Sequence, residues 1–359
     1  FEGLWRIREC EIVLGFVQLS LRRASPDKAL VYVESEQGRN IADPDLRAGL
    51  TRLMLVDLPF AVDAPSSVSD SARLYAAAAG DAGWRNAQLF ASGPDGAPGE
   101  YIGQIPAPTS IGTTAGTLDS ANPALIDRGS QIEVVLQNPA MHLVHADDAQ
   151  LLAGRNIALI GKEIIQFAAA VPLGEGRFRL SRLIRGLGGT ETEIASHDAD
   201  EDFVLLDSGS MLEIGSAFYA PSAPVVVFAL GRDDLMPVSA AIASPGRALM
   251  PWSPVHPRWN FLDGGDLEIR WTRRSRAGTI WSDHVEVPLA EEVEKYRVEL
   301  AADDGSVAAV VLESPEERAI ISAARIQPFV TNNINNISVR IFQIGAAGRS
   351  AALAFEVPL

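Results

Sequence analysis

The sequence predicts a mainly β protein, on three observations. Short runs alternate apolar and polar residues with a period of two, as in Gln131 to Gln137, where Ile132, Val134 and Leu136 share one side. Thirty glycines and 22 prolines are scattered along the 359 residues rather than clustered, which calls for many turns and many short strands. Past Pro251, seven short apolar runs separated by turn residues fall within about 105 residues, the spacing of a small sandwich.

The first elements are strands. Trp5, Ile7, Ile12, Leu14 and Phe16 alternate, then Leu19 and Leu21, with Val31 and Val33 after a turn at Ser25-Pro26-Asp27. Leu50 to Val62 follows, carrying Met54, Val56 and Leu58 and stopped by Pro59 and Pro65. The polar segment Asp63 to Asp70 is the place for a domain boundary. Ala76 to Ala79 could seed a helix on propensity, but Gly80, Asp81 and Gly83 stop it, and a strand is the preferred reading. Leu89-Phe90, Tyr101, Ile105 and Ile111 continue with β spacing around the turn Ser92 to Gly96. Ala146 to Gly154 is one or two helical turns, with Asp147 or Asp148 to cap the start and Gly154 the end.

The stretch Leu159 to Thr190 organises what surrounds it. Ile160, Ile164 and Phe167 weight its first strand, and Phe178, Leu180, Leu183 and Ile184 its second. Pro172, Gly174 and Gly176 make the connection, because proline presets φ and glycine admits φ > 0. On the second strand Arg177, Arg179 and Ser181 point one way and Phe178 and Leu180 the other. It exits through Arg185-Gly-Leu-Gly-Gly189, where backbone can pass close to another surface. Glu191 to Asp207 then holds seven carboxylates and no Lys or Arg, with a strand at Phe203 to Leu206. Val225 to Leu230 and Val238 to Ile242 are further strands.

Two of these stretches carry a family resemblance. IGKEIIQF with PLGEGRFRLSRLIRGLGGTE (from Ile160), and WSPVHPRWNFLDGGDLEIRWTRRSRAG (Trp252 to Gly278), resemble in order the large tail-tip protein of gene transfer agents and related siphophages. That family is the baseplate megatron, or host specificity protein. Its members are much longer, so the chain reads as a C-terminal part of one. The start at Phe1, with neither Met nor a signal-peptide pattern, reads as the interior of a domain.

The resumption of strands at Val225 to Leu230 and Val238 to Ile242 sets a tail-hub-like β domain at 1–65 and 210–250 with an inserted β-rich domain at 66–209, and the strand pattern at 251–359 resembles a fibronectin type III-like β-sandwich. The sandwich strands are expected at Asp266 to Trp271, Trp281 to Val287, Glu294 to Leu300, Val307 to Leu312, Ala319 to Ile326, Ile337 to Ile344 and Ala351 to Val357. Trp271 and Tyr296 match the module's core aromatics; its corner tyrosine is missing, with Ile337 roughly in its place. The family implies a structural virion component in the tail baseplate, assembled in the bacterial cytoplasm. It implies a homotrimer that meets other baseplate proteins, serves tail assembly and host-cell attachment or DNA delivery, and contacts a host cell-surface glycan or receptor.

Composition sets bounds of its own. A net charge of −16 argues against nucleic-acid contact over the whole surface, and no sequence-specific nucleic acid is expected. No run approaches about 18 apolar residues, so no membrane span is expected. Cys10 is the one cysteine, which excludes an intramolecular disulfide, and is read as a small buried hydrophobe on a strand.

His142, His145, Asp147 and Asp148 form H-x-x-H-x-D-D, but a strand-like Leu143-Val144 would send the two histidines to opposite faces. His197, Asp198, Asp200, Glu201 and Asp202 resemble a calcium loop without its central Gly and closing Glu. Gly209-Ser210 lacks the closing glycine of a nucleophile elbow, and Gly186 to Gly189 precedes no long helix. Glu163 sits alone, with Gln166 as its nearest polar neighbour downstream, so no acid pair for glycoside hydrolysis is nominated. Arg270, Arg273, Arg274 and Arg276 lie beside Trp252, Trp271 and Trp281, either as a patch for phosphate, anionic glycan or DNA or as a charged sandwich edge. No catalytic, cofactor-binding or metal residue is assigned, and no enzyme or cofactor is expected. The alternative is a carbohydrate-binding or glycan-degrading protein with an accessory fibronectin III module.

Overall fold

The computed structural model describes residues 5–13, 16–23, 49–63, 71–221, 223–243, 246–277, 287–302 and 305–359. The chain divides into two units, Phe1–Asp45 and Leu46–Leu359. In the first, β1 (Trp5–Val13) pairs antiparallel with β2 (Phe16–Arg23), with a bulge between Ile7 and Glu9. Ile7 stands opposite Leu21 and Cys10 opposite Leu19. Cys10 is exposed, not buried as expected: among the described residues it lies on a two-stranded ribbon. The expected Leu14, the turn at Ser25 to Asp27, and Val31 and Val33 lie outside the described residues.

The second unit begins with β3 (Arg52–Leu58), β4 (Arg73–Ala79), β5 (Ala87–Ser92) and β6 (Pro98–Ile105). Then come β7 (Ile111–Thr114), β8 (Asp127–Leu136), helix α1 (Asp148–Leu152), β9 (Ile157–Ile160), β10 (Glu163–Gly174), β11 (Arg177–Ile184) and β12 (Asp202–Leu205). β13 (Met211–Ile214), β14 (Val225–Gly231) and β15 (Val238–Ile242) follow. β7 to β12 close into an antiparallel barrel in the order β10-β11-β8-β7-β12-β9. Two open sheets accompany it, β13-β4-β3 and β15-β14-β5-β6.

The alanine run on β4 shows why a strong helix former became a strand. Tyr75, Ala77 and Ala79 join the core that fills the barrel, while Leu74, Ala76 and Ala78 pack against β5 and β14. A strand buried on both faces between two layers favours small side chains, and that packing overrides propensity. Two expected boundaries move. β3 and β4 pair from Arg52↔Ala79 to Leu58↔Arg73, so a sheet crosses the division at 65/66. β5 pairs with β14 on one side and β6 on the other, and the segment set between β6 and β13 is the barrel, Ile111 to Leu205, shorter than 66–209. Ile160 also belongs to β9 and not to the hairpin's first strand, because Gly161-Lys162 turns the chain before Glu163.

The remaining strands are β16 (Val255–Phe261), β17 (Leu267–Thr272), β18 (Tyr296–Ala301), β19 (Val310–Ser314), β20 (Arg318–Ile321), β21 (Asn336–Gly345), β22 (Gly348–Arg349) and β23 (Leu353–Pro358). A three-stranded sheet, β16-β17-β20, faces one built as β19-β18-β21, with β22 and β23 both on β21. This is the arrangement a fibronectin III-like sandwich requires. Trp271 and Tyr296 are buried edge to face, centroids 5.1 Å apart, one from each sheet. The expected strand Ala319 to Ile326 ends at Ile321, and helix α2 (Ala323–Thr331) takes over. Asp266 Oδ1 accepts from Ala323 N at 2.8 Å, and Ile326 and Phe329 are buried, so the helix is pinned at its start and along its inner face. It fills the connection in which the corner tyrosine was sought; Ile337, just beyond, is fully buried. Trp281 to Glu286 lie outside the described residues, and Val287 is in no strand.

Candidate functional site

A buried ionisable cluster sits at one end of the barrel, where antiparallel order brings together the starts of β8, β10 and β12 and the ends of β9 and β11. Asp127 opens β8, Glu163 opens β10, Arg185 follows β11, and His197 and Glu201 precede β12. Arg185 Nε donates to Glu163 Oε1 at 2.9 Å and Oε2 at 3.1 Å, and Nη2 to Oε2 at 2.8 Å. Its Nη1 donates to the Asp119 carbonyl at 2.9 Å and faces Asp127 Oδ2 at 3.4 Å. Gly186 N donates to Glu163 Oε1 at 2.6 Å. His197 Nε2 meets Glu163 Oε2 at 2.6 Å, and Nδ1 meets Glu201 Oε2 at 2.6 Å. The Arg185 and Glu163 side chains are 0% exposed.

Local chemistry builds this cluster. Gly186 has φ +66, and Gly161, φ +56, turns β9 into β10 where an added Cβ would lie 2.4 Å from Glu201 Oε1. Thr190 Oγ1 accepts from Ile164 N at 3.0 Å and donates to the Leu187 carbonyl at 2.8 Å, tying the glycine exit back to β10. That exit makes the close approach its composition allowed. An added Cβ on Gly188 would lie 2.5 Å from Pro59 Cγ, and one on Gly189 2.9 Å from Trp252 Cδ1.

The electrostatics favour fixed charges. Burial, the largest influence on Glu163, pushes its pKa up, but hydrogen bonds from His197 and Arg185 outweigh it and the net direction is down. His197 is held above its ordinary value by its hydrogen bond to Glu163 first and by Glu201 after it, against burial. A histidine placed between two carboxylates, each within hydrogen-bond range of one ring nitrogen, donates to both only as imidazolium. Glu163 receives donors on both oxygens, and the cluster clamps four chain segments at the barrel end.

A pH prediction follows. The Glu163 contribution is present above the ordinary carboxylate value of 4.5 and is lost as pH falls through its lowered folded-state value. The His197 contribution is present below 6.5 and is lost as pH rises through its raised folded-state value. Thermal midpoints measured against pH are expected to peak between these values, and His197→Gln to flatten the alkaline side. An unchanged alkaline limb in that variant removes His197 from the account.

The residues singled out from spacing go elsewhere. His142 is exposed, and His145 Nδ1 accepts from Ala170 N at 3.3 Å. Asp147 caps α1 through Gln150 N at 2.8 Å, and Asp148 pairs with Arg182 at 2.7 Å. Of the calcium-like loop, His197 and Glu201 turn inward and Asp202 pairs with Arg52 at 2.7 Å; Asp200 has φ +62. Ser210 Oγ contacts Asp207 Oδ2 at 3.2 Å within a turn. The arginines after β17 disperse. Arg273 donates to the Val287 carbonyl at 2.9 Å, and Arg276 to Glu291 at 2.9 Å and the Ala290 carbonyl at 2.8 Å. Arg274 pairs with Glu191, donates to the Ser253 carbonyl at 2.7 Å and lies over the Trp252 ring. Arg270 alone of the four sits on the strand, beside Glu268. Glu163, taken from the sequence as solitary, is the centre of the cluster.

A family model described as Rcc01698-like, C-terminal, matches residues 109–204, the span of the barrel. No curated protein matches the chain. Among solved structures it is similar to a two-domain fibronectin type III segment of chicken tenascin, at 10% identity over 68% of this chain and 99% of that one, TM-score 0.23. The FN1–FN3 domains of chicken CNTN1 align at 12% identity over 87% of this chain and 98% of that one, TM-score 0.22. Scores this low carry no argument about function, and the sandwich is defined by its own strand pairing.

Proposed function

We propose that the chain is a structural component of the tail tip of a phage-like particle, of the gene transfer agent kind, and works by assembly rather than turnover. The observation that carries the reading is the ordered resemblance of the two long stretches to the baseplate megatron; the first of them, Ile160 to Glu191, lies within the matched span 109–204. The physical character of the molecule agrees. Its buried charge cluster is consumed in holding the barrel shut, and Arg274 with Glu191 ties the barrel to the sandwich. Rigid β bodies joined this way suit symmetric packing against copies and neighbours. In this reading the chain forms a homotrimer on the tail axis, meets other baseplate proteins, and takes part in host attachment or DNA delivery. It is made in the bacterial cytoplasm and ends in the virion.

The test is direct. Antibodies against the chain are expected to label one end of the tails of purified particles, and native mass measurement of the purified chain to find a trimer. Particles lacking the chain refute the tail reading; a chain that stays monomeric at high concentration refutes the trimer.

A further inference from the structure

The outer face of the three-stranded sandwich sheet carries arginines in register. Arg258 on β16 stands opposite Arg270 on β17, and Arg270 opposite Arg318 on β20. Leu267, Ile269 and Trp271 point into the core, so Glu268 and Arg270 look away from it. Strands lie about 4.8 Å apart, which sets three guanidinium stems across about 10 Å. Like charges directly opposite one another on a sheet repel, so this row costs stability unless something offsets it. Glu268 offsets part: its Oε1 accepts from Arg270 Nη2 at 3.0 Å and Arg318 Nε at 2.6 Å. Three positive charges against this one negative leave +2. The Arg270 side chain is 58% exposed, Arg318 38%, and Arg258 is exposed.

We propose that this row binds an anionic polysaccharide. Guanidinium groups match carboxylate and sulfate geometry in bidentate fashion. Asn260, Thr272 and Ile320 beside the row offer no aromatic ring on which a base could stack, and the exposed Trp259 and Phe261 of β16 stand opposite Ile269 and Leu267, on the other face of the sheet, unlike the rings of a single-strand nucleic-acid platform. The net charge of −16 discriminates among the remaining polyanions. A DNA duplex, with a charge every ~1.7 Å, meets strong repulsion from the rest of the molecule. A sugar polymer with one charge per repeat meets the least. The inference stands on the sheet face and holds whether or not the chain is a tail component.

The test uses the full chain with hyaluronan oligosaccharides, which carry one carboxylate per disaccharide. Dextran, a short DNA duplex and poly-glutamate are the comparators, each by calorimetry at low and physiological salt. Hyaluronan is expected to bind, more weakly as salt rises, and dextran not to bind. Arg258→Glu is expected to weaken hyaluronan binding about tenfold at a melting temperature no lower than the parent's, and Arg270→Gln or Arg318→Gln several-fold. Arg297→Gln, on the opposite sheet, is expected to leave binding unchanged. Absence of hyaluronan binding, tighter binding of the duplex or of poly-glutamate, or an Arg258→Glu variant that binds like the parent, overturns the proposal.

Discussion

Replacing Arg185 by methionine is expected to lower stability by about 3–5 kcal/mol, the cost of leaving a buried charge without its partner. Methionine fills most of the arginine stem's volume, so the loss isolates charge from packing. It strands Glu163, fully buried at the head of β10, with His197 and one backbone amide as its remaining donors, and frees the Asp119 carbonyl. The paired replacement Arg185→Met with Glu163→Gln is expected to recover part of the loss, because no uncompensated carboxylate then remains. Denaturant unfolding of the parent, the two single variants and the double variant gives the coupling. A loss below about 1 kcal/mol for Arg185→Met, against the range for a buried pair, means that the cluster does not hold the barrel end closed.

That cluster also marks the limit of what the sequence discloses. The hairpin of β10 and β11 is legible because its signals are local: alternation on Phe178 and Leu180, and a proline–glycine connection. The strand at Ala76 to Ala79 is legible through its flanking glycines, although the double burial that decides it is not. Barrel closure depends on β12 pairing with both β7 and β9, and β7 and β12 lie some ninety residues apart, so no window of sequence contains it. The five charged residues arrive from four segments for the same reason, and Glu163 therefore looks solitary. Adjacency misleads in the other direction at Arg270 to Arg276. β17 ends at Thr272, after which each arginine turns to its own acid or carbonyl, and the true neighbours of Arg270 are Arg258 and Arg318 across the sheet. Helix α2 is missed because Ala319 to Ile326 is apolar enough for a strand, and Asp266, which caps the helix, stands more than fifty residues upstream.

Trp271→Ala is expected to cost about 3–5 kcal/mol, the range for emptying a large buried ring from a core. Trp271 spans the gap between the two sheets of the sandwich and meets Tyr296 at an interplanar angle of 69°. The edge-to-face pair adds about 0.5–1.5 kcal/mol beyond area burial, so the cost belongs at the upper end of that range. Trp271→Phe is expected to cost much less than loss of ring volume alone implies. The indole Nε1 is buried and has no hydrogen-bond partner among the described residues, and phenylalanine removes that unsatisfied donor along with the second ring. The damage belongs to the sandwich, whose core is separate from that of the barrel. Calorimetry of the alanine variant is therefore expected to show the sandwich transition moving down while a barrel transition stays near its parental temperature. If both move together by the same amount, the two cores melt as one body, and the tie of Arg274 to Glu191 with the packing of Gly189 on Trp252 couples them more strongly than their separate cores imply. If neither moves, Trp271 does not anchor the sandwich.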